Sequence, residues 1–339
     1  MTDLPTSAPI VTRFAPSPTG HLHLGNARTA LLNYLAARQS GGRFILRVED
    51  TDEVPGSESF MLALLADLRW LGLTWDEGPD VGGPQAIYRQ QQRRAIYETW
   101  LAKLDAAGLT YPCFCTPAEL NASRRQQLAA GKSPGYAGTC RALSESQRCE
   151  RLVRGQPASL RFKAPPDKIV NVVDLVQGEQ RFVADEGGDF ILRRADGGTA
   201  SFFSNAIDDA LMNVTLVLRG EDHLANTPRQ LLILEQLDLP MPRYAHVPLL
   251  LGSDGVALSK RRAHVSLQEL RRRGFLPGAV RNYLVRLGHS CGTDAWLDDE
   301  AMIEAFDLSR LSREPARFDE AQLRRWQAEA LAAGQRGAE

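Results

Sequence analysis

RFAPSPTGHLHLGNART, residues 13–29, is the stretch on which the reading of the fold turns. Ahead of it, residues 10–15 form a short, mostly apolar run suited to a buried parallel strand, and Pro16, Pro18 and Gly20 end that run. Behind it, Ala27, Ala30, Leu31, Tyr34 and Leu35 recur at helical spacing and make one apolar face. Residues 43–48 then predict a second strand, closed by the acidic cluster Glu49, Asp50 and Asp52. Strand, loop, helix, strand is half of a doubly wound α/β sheet, where ligands collect at the carboxyl ends of the strands. The loop thus meets a helix N-terminus, whose backbone N–H groups and partial positive charge suit an anion. Gly25 permits close approach and His23 adds a donor for a phosphate. A metal site is disfavoured, because His21 and His23 give two ligands and no third lies nearby in sequence. On the loop alone, a surface turn with two solvated histidines remains open.

Working outward, 339 residues suggest two or three domains, and 43% hydrophobic with 24% charged residues describes a globular chain. A formal charge of −1 argues against wholesale coating of nucleic acid, but not against a local basic face. The opening MTDLPTSAPIV lacks the basic and apolar pattern of a signal peptide, and no apolar run reaches membrane-spanning length. Five cysteines, an odd number, point to a reducing compartment, so a cytoplasmic location without membrane association is expected.

Downstream, GSDGVALSKRRAH (252–264) places Lys260 after a turn, where a mobile ammonium can meet a phosphate as a point charge. HLGN (23–26) with LSKR (258–261) resembles the paired signatures of class I aminoacyl-tRNA synthetases. TRFAPSPTG, LRVEDTD, LRWLGLTWDEGPDVGGP, LRGEDHLANTPRQ and FLPGAVRNYLVRLG narrow the resemblance to the glutamyl-tRNA synthetase family, in its order and spacing, over about residues 10–325. The resemblance implies a Rossmann-type α/β catalytic domain with an acceptor-binding insertion and a truncated C-terminal helical stem-contact domain. Its expected divisions are 9–107 and 205–256 for the halves of the catalytic domain, 108–204 for the insertion, and 257–339 for the stem-contact domain and polar tail.

It also implies ATP and Mg²⁺, glutamate and a tRNA of Glu or Asp type as partners, a monomer, and activation of glutamate as its adenylate before transfer to tRNA. Carried over by position, His23, Gly25, Asn26, Glu221 and Lys260 fall on the nucleotide, with His23 and Lys260 in catalytic roles. Arg13, Ala15, Ser17, Glu49 and Asn205 fall on the amino-acid pocket. Arg219 falls where the family pairs the glutamate side-chain carboxylate. A planar guanidinium suits that task and would reject the neutral amide of glutamine. Cys113, Cys115, Tyr136 and Cys140, from YPCFC and GYAGTC, resemble the insertion's Zn²⁺ site. Arg124 and Arg125 lie on a helix-like stretch there, suited to an acceptor stem.

Three features depart from the family pattern. Ser201 stands where it has a tyrosine, four residues before Asn205, so the pocket is expected to be enlarged or refilled by Phe202 or Phe203. Ala257 stands for the first lysine of the downstream signature. The chain stops near an Ala-rich polar tail, so no anticodon-binding region is expected within it. Between Lys260 and Arg286, eight basic residues stand against Glu269 alone, an excess expected to contact RNA phosphates. The short paralogue that glutamylates queuosine on tRNA(Asp), and a non-catalytic tRNA- or nucleotide-binding paralogue, are the alternatives.

Overall fold

The computed structural model describes residues 8–51, 56–252, 254–258 and 266–336. In chain order these form β1 (Val11–Phe14), α1 (Leu24–Gln39), β2 (Arg43–Leu46), α2 (Ser57–Trp70) and α3 (Arg94–Ala106). Next come β3 (Thr110–Cys113), α4 (Pro117–Ala129), α5 (Glu145–Val153), β4 (Ser159–Phe162), β5 (Ile169–Asp174), β6 (Gly178–Val183) and β7 (Phe190–Arg193). The chain continues through α6 (Ser201–Leu211), β8 (Leu216–Gly220), α7 (Thr227–Gln236) and β9 (Arg243–Val247). It ends with α8 (Leu267–Arg272), α9 (Pro277–Arg286), α10 (Asp299–Ala305) and α11 (Glu320–Arg336).

The expected opening unit is present: β1 and β2 pair in parallel, from Val11↔Arg43 to Phe14↔Leu46, with α1 between them in sequence. β8 and β9 make a second parallel pair, and β5 joins β9 in parallel at Asp174↔Tyr244. Mutual hydrogen bonds of Val11 with Thr215 bring β1 alongside β8, where Asn33 of α1 also donates to the Leu218 carbonyl (3.0 Å). The carboxyl ends of β1, β2, β8 and β9 therefore converge on one edge beneath the start of α1. The strands are short and almost wholly buried, as parallel strands covered on both faces must be. Leu24, Leu31, Leu35, Leu46, Leu218 and Leu284 share the largest core cluster, each contributing roughly 2 kcal/mol by burial.

The hairpin β5–β6, enclosed by the expected insertion 108–204, belongs to the β8–β9 sheet, whereas β3, β4 and β7 form a separate antiparallel sheet. Helices α4 and α5 each begin with a reciprocal capping box, Thr116 with Glu119 and Ser144 with Gln147, and neither buries a residue. Arg124 and Arg125 are exposed on α4.

The C-terminal end differs from the polar tail expected there. As far as Arg336 the Ala-rich segment is no tail: it completes α11, which sends Leu323, Trp326 and Ala330 into the core. Alanine is the strongest helix former, and the polar residues between hide the apolar spacing in the sequence. The basic run is also less free than its charge count suggests. Arg272 pairs with Glu269 (2.7 Å), Arg273 with Glu320 (2.5 Å) and Arg281 with Asp299 (2.6 Å), while Arg286 covers the Trp326 ring at 4.1 Å. Among the described residues, no helix is long and apolar enough to cross a membrane.

Asp67, on the core side of α2, makes no side-chain hydrogen bond among the described residues, and its Oδ2 is fully buried. Burial pushes its carboxyl up to about 6, against the opposing pull of His21 and Arg271. An acid raised in the folded state destabilises the fold increasingly as pH rises from about 4 to about 6, by up to ~3 kcal/mol above that range. Asp67→Asn should therefore raise the urea midpoint at pH 8 and leave it nearly unchanged at pH 4. An equal change at both pH values would refute this linkage.

Candidate active site

The carboxyl edge of β1, β8 and β9 opens into a cavity of about 310 Å³. Its wall includes Arg13, Ala15, Ser17, His23, Gly25, Asn26, Glu49, Asn205 and Arg219, so residues far apart in sequence meet at one site. Glu221 is not in that wall: its carboxylate turns to accept from the Leu249 amide at 3.0 Å, while Asp222 and His223 face the cavity. Lys260 lies outside the described residues, although Leu258, just before it, lines the cavity.

His23 caps α1, its Nδ1 accepting from the amides of Gly25 (3.1 Å) and Asn26 (3.4 Å). Two of the N–H groups expected to meet an anion are thereby occupied by the protein itself. The same contact fixes the neutral ring with its proton on Nε2, making that nitrogen the ring's donor. A Cβ at position 25 would stand 3.0 Å from the imidazole, so any larger residue would press on this ring.

Beneath the cavity lies a buried polar network that the sequence motifs do not announce. Asp208 of α6 accepts from Arg93 Nε (2.7 Å), Tyr97 Oη (2.7 Å) and Gln90 Nε2 (2.9 Å). Asp209 accepts from Arg13 Nε at 3.1 Å and pairs with Arg47 Nη1 at 2.8 Å. Burial alone would lower the Arg47 guanidinium, but Asp209, Asp208 and Glu49 outweigh it and hold it above its ordinary value. Asn205 accepts from Arg47 (2.9 Å) and Gln90 (3.0 Å) and donates to Glu49, so both ends of its amide are engaged. The signal in the sequence is the Asp208-Asp209 doublet, one turn beyond Asn205. The refilling expected opposite Ser201 does not occur: Phe203 is buried in the core beneath α6 and α7, and Phe202 packs edge-on to Phe190. Neither ring lines the cavity.

Arg219, at the end of β8, is 7% exposed. Its Nε donates to His246 Nε2 (3.1 Å), and its Nη2 to Thr227 Oγ1 (2.9 Å) and Gln230 Oε1 (2.7 Å). These acceptors are neutral, no carboxylate among the described residues lies within ion-pair distance, and Nη1 has no hydrogen-bond partner there. Burial pulls the guanidinium down to about 10, with Tyr244 opposing and Arg13 adding to the drop. A buried cation that borders a cavity and meets only neutral acceptors is a candidate anion-binding group.

In the insertion, the sulfurs of Cys113, Cys115 and Cys140 lie within 4.8 Å of one another, with Cys115 and Cys140 at 3.6 Å. The Tyr136 hydroxyl lies 3.4 Å from the Cys113 sulfur and 3.8 Å from that of Cys115, and accepts from the Cys140 amide at 2.9 Å. Sulfurs sharing a tetrahedral Zn²⁺ at ~2.3 Å stand about 3.8 Å apart, and a disulfide would need about 2.05 Å. Burial pushes the Cys113 thiol up, but Tyr136 and Arg161 outweigh it and leave it lowered to about 7. Of the remaining thiols, Cys149 is exposed and Cys291 is buried.

A parallel α/β core with a polar cavity at its carboxyl edge, a histidine-capped first helix and an inserted antiparallel sheet together define a class I synthetase catalytic unit. The family of class I tRNA synthetases (E and Q), catalytic domain, matches residues 9–325, and the chain belongs to that family. It is 55% identical over 325 residues to glutamate--tRNA ligase 2 of Alkalilimnicola ehrlichii, covering 95% of this chain and 68% of that protein. It is 54% identical over 321 residues to glutamate--tRNA ligase 2 of Nitrosococcus oceani, with the same coverage. Among solved structures, the glutamate tRNA ligase of Elizabethkingia meningosepticum in complex with its amino acid superposes with a TM-score of 0.87 at 34% identity. That match covers 96% of this chain and 70% of the other.

Proposed function

We propose that the protein activates glutamate with ATP and transfers it to tRNA(Glu). The observation that carries the reading is Arg219: buried, facing the cavity, and held by neutral acceptors alone. The side-chain carboxylate of glutamate supplies the missing counter-charge, and Nη1 is the group left to meet it. Glutamine would bring a neutral amide and leave the buried charge uncompensated. Arg13 and Glu49, of opposite charge on the same wall, suit the α-carboxylate and α-ammonium of the amino acid.

In the first step an oxygen of the glutamate α-carboxylate attacks the α-phosphorus of ATP, and pyrophosphate leaves. In the second, a hydroxyl of the terminal tRNA adenosine attacks the acyl carbon, and AMP leaves. Neither step requires much side-chain acid–base chemistry. Positioning is the protein's main task and is worth several kcal/mol, roughly 7 to 11. His23 borders the cavity with its ring capping α1 and its proton on Nε2, and Lys260 would offset charge on the departing pyrophosphate. Mg²⁺ would be carried mainly by the nucleotide phosphates and would withdraw charge from them.

The insertion's donors fit Zn²⁺: three thiols and a phenol converge at the right separation, and Arg161, 3.6 Å over the Tyr136 ring, offsets the net negative charge of three thiolates on one Zn²⁺. Such a metal would be structural, tying the end of β3 to residues 136–140. Purified protein should contain about one zinc per chain, and Cys113→Ser should lose most of it by elemental analysis. Equal zinc in both would contradict this assignment.

The function itself is tested by pyrophosphate exchange with glutamate, glutamine and aspartate, with and without tRNA, followed by acylation of tRNA(Glu) and tRNA(Asp). Glutamate-dependent exchange with charging of tRNA(Glu) is the expected result. Glutamate attached to tRNA(Asp) would overturn the choice of acceptor, and silence with every amino acid would overturn the enzyme assignment.

A further inference from the structure

We propose that Asp174 and His246 form a positioning pair that fixes the Arg219 guanidinium against the substrate's side-chain carboxylate and thereby sets discrimination between acid and amide. The inference rests on the glutamate reading above and assigns a task to two residues outside the cavity wall.

Asp174 ends β5 beside β9, and its Oδ1 accepts three backbone amides: Val176 (3.0 Å), Gln177 (2.8 Å) and His246 (3.1 Å). Three donors on one oxygen determine which way the carboxylate faces. Oδ2 is left to His246 Nδ1, 2.5 Å away, and a carboxylate there can only accept. The ring proton of His246 is therefore on Nδ1, and the Nε2 lone pair faces the Nε–H of Arg219 at 3.1 Å. Thr227 Oγ1 lies 3.2 Å from the same Nε2 and takes Arg219 Nη2, while Gln230, anchored to the Phe202 carbonyl, takes it too.

Every member of this chain is buried. Tyr244 closes it from one side, its ring parallel to the His246 ring within 5° and its face 5.5 Å from the Arg219 guanidinium. Burial holds His246 below the ordinary imidazole value; Arg219 and Arg13 act in the same sense and Asp174 pulls the other way. A second proton on the ring would set two N–H donors against each other. The neutral Nδ1–H tautomer is thus the one state that lets Arg219 keep its orientation, and Asp174 selects it.

Asp174→Asn isolates the effect. The three backbone amides keep the asparagine oxygen in the Oδ1 position, so its NH₂ faces His246 Nδ1, which must now accept. The proton moves to Nε2, where it opposes the Arg219 Nε–H. The expected result is a KM for glutamate in pyrophosphate exchange raised by about 30-fold, with KM for ATP and kcat changed by no more than a few-fold, and reduced preference for glutamate over glutamine. His246→Phe, which removes the acceptor, should behave alike. His246→Gln should stay within a few-fold of wild type, because its amide can donate to Asp174 and accept from Arg219 with nearly the spacing of the two ring nitrogens.

Nitrogen-15 NMR of the histidines provides a readout independent of catalysis: Nδ1–H at His246 in wild type and Nε2–H in Asp174→Asn. Wild-type Nε2–H, or variants that lose stability and kcat without altering KM or amino-acid preference, would overturn the pair's positioning role. Absence of glutamate activation in the wild type would instead overturn the glutamate reading, whichever tautomer is found.

Discussion

Replacing Arg219 by glutamine should lower kcat/KM for glutamate activation by about a thousandfold, roughly 4 kcal/mol, while the protein keeps or gains thermal stability. The two halves of that result have one cause. Removing a guanidinium whose charge burial disfavours relieves the free protein of a desolvated cation. The same change deprives the bound glutamate carboxylate of its counter-charge. The introduced amide can still hydrogen-bond to neighbours such as Thr227, so the wall need not collapse. Arg219→Lys should remain impaired despite its charge, because one ammonium cannot reproduce a planar donor set that spans His246, Thr227 and Gln230. Steady-state exchange kinetics with a melting curve on each variant would check this. Parallel losses of activity and stability would make Arg219 a structural residue.

The second large effect lies below the cavity. Asp208→Ala should destabilise the fold by about 3–5 kcal/mol, because it leaves the buried guanidinium of Arg93 without its carboxylate and removes one of the two aspartates flanking Arg47. Tyr97 and Gln90 lose an acceptor at the same time. By contrast, Arg154→Ala breaks an exposed pair with Glu150 one turn away, and should cost at most about 0.5 kcal/mol. Urea denaturation of the two variants measures the difference. Comparable small losses in both would show that the network under α6 is not a determinant of stability.

Residues 10–48 are legible in the sequence because each element has its own local signature. Proline and glycine end β1, the apolar positions of α1 recur every three to four residues, and β2 closes on charge. The proposed metal donors are legible through resemblance, since C-x-C followed by Tyr-x3-Cys is similar to the family's insertion, and the three sulfurs do lie together. Elements whose meaning depends on distant partners are not legible. Asp174 and His246 are 72 positions apart and carry no motif, yet they are 2.5 Å from each other once β5 lies beside β9. Arg47 and Asp209 are 162 positions apart and carry no pairing signal, yet they form a buried ion pair at 2.8 Å. His23 stands out in the sequence, but half of its role does not: its capping bonds to the first turn of α1 select the ring nitrogen that carries the proton.

The central claim, that this cavity recognises an acidic amino acid joined to adenylate, is tested most directly by calorimetric titration of the wild-type protein. The two ligands are the sulfamoyl-adenosine analogues of glutamyl- and glutaminyl-adenylate, which mimic the intermediate without reacting further. The glutamyl analogue should bind at least about 100-fold more tightly than the glutaminyl one, as expected of a site that pairs a buried cation with the side-chain carboxylate. Equal affinities, or no binding of either, would contradict it.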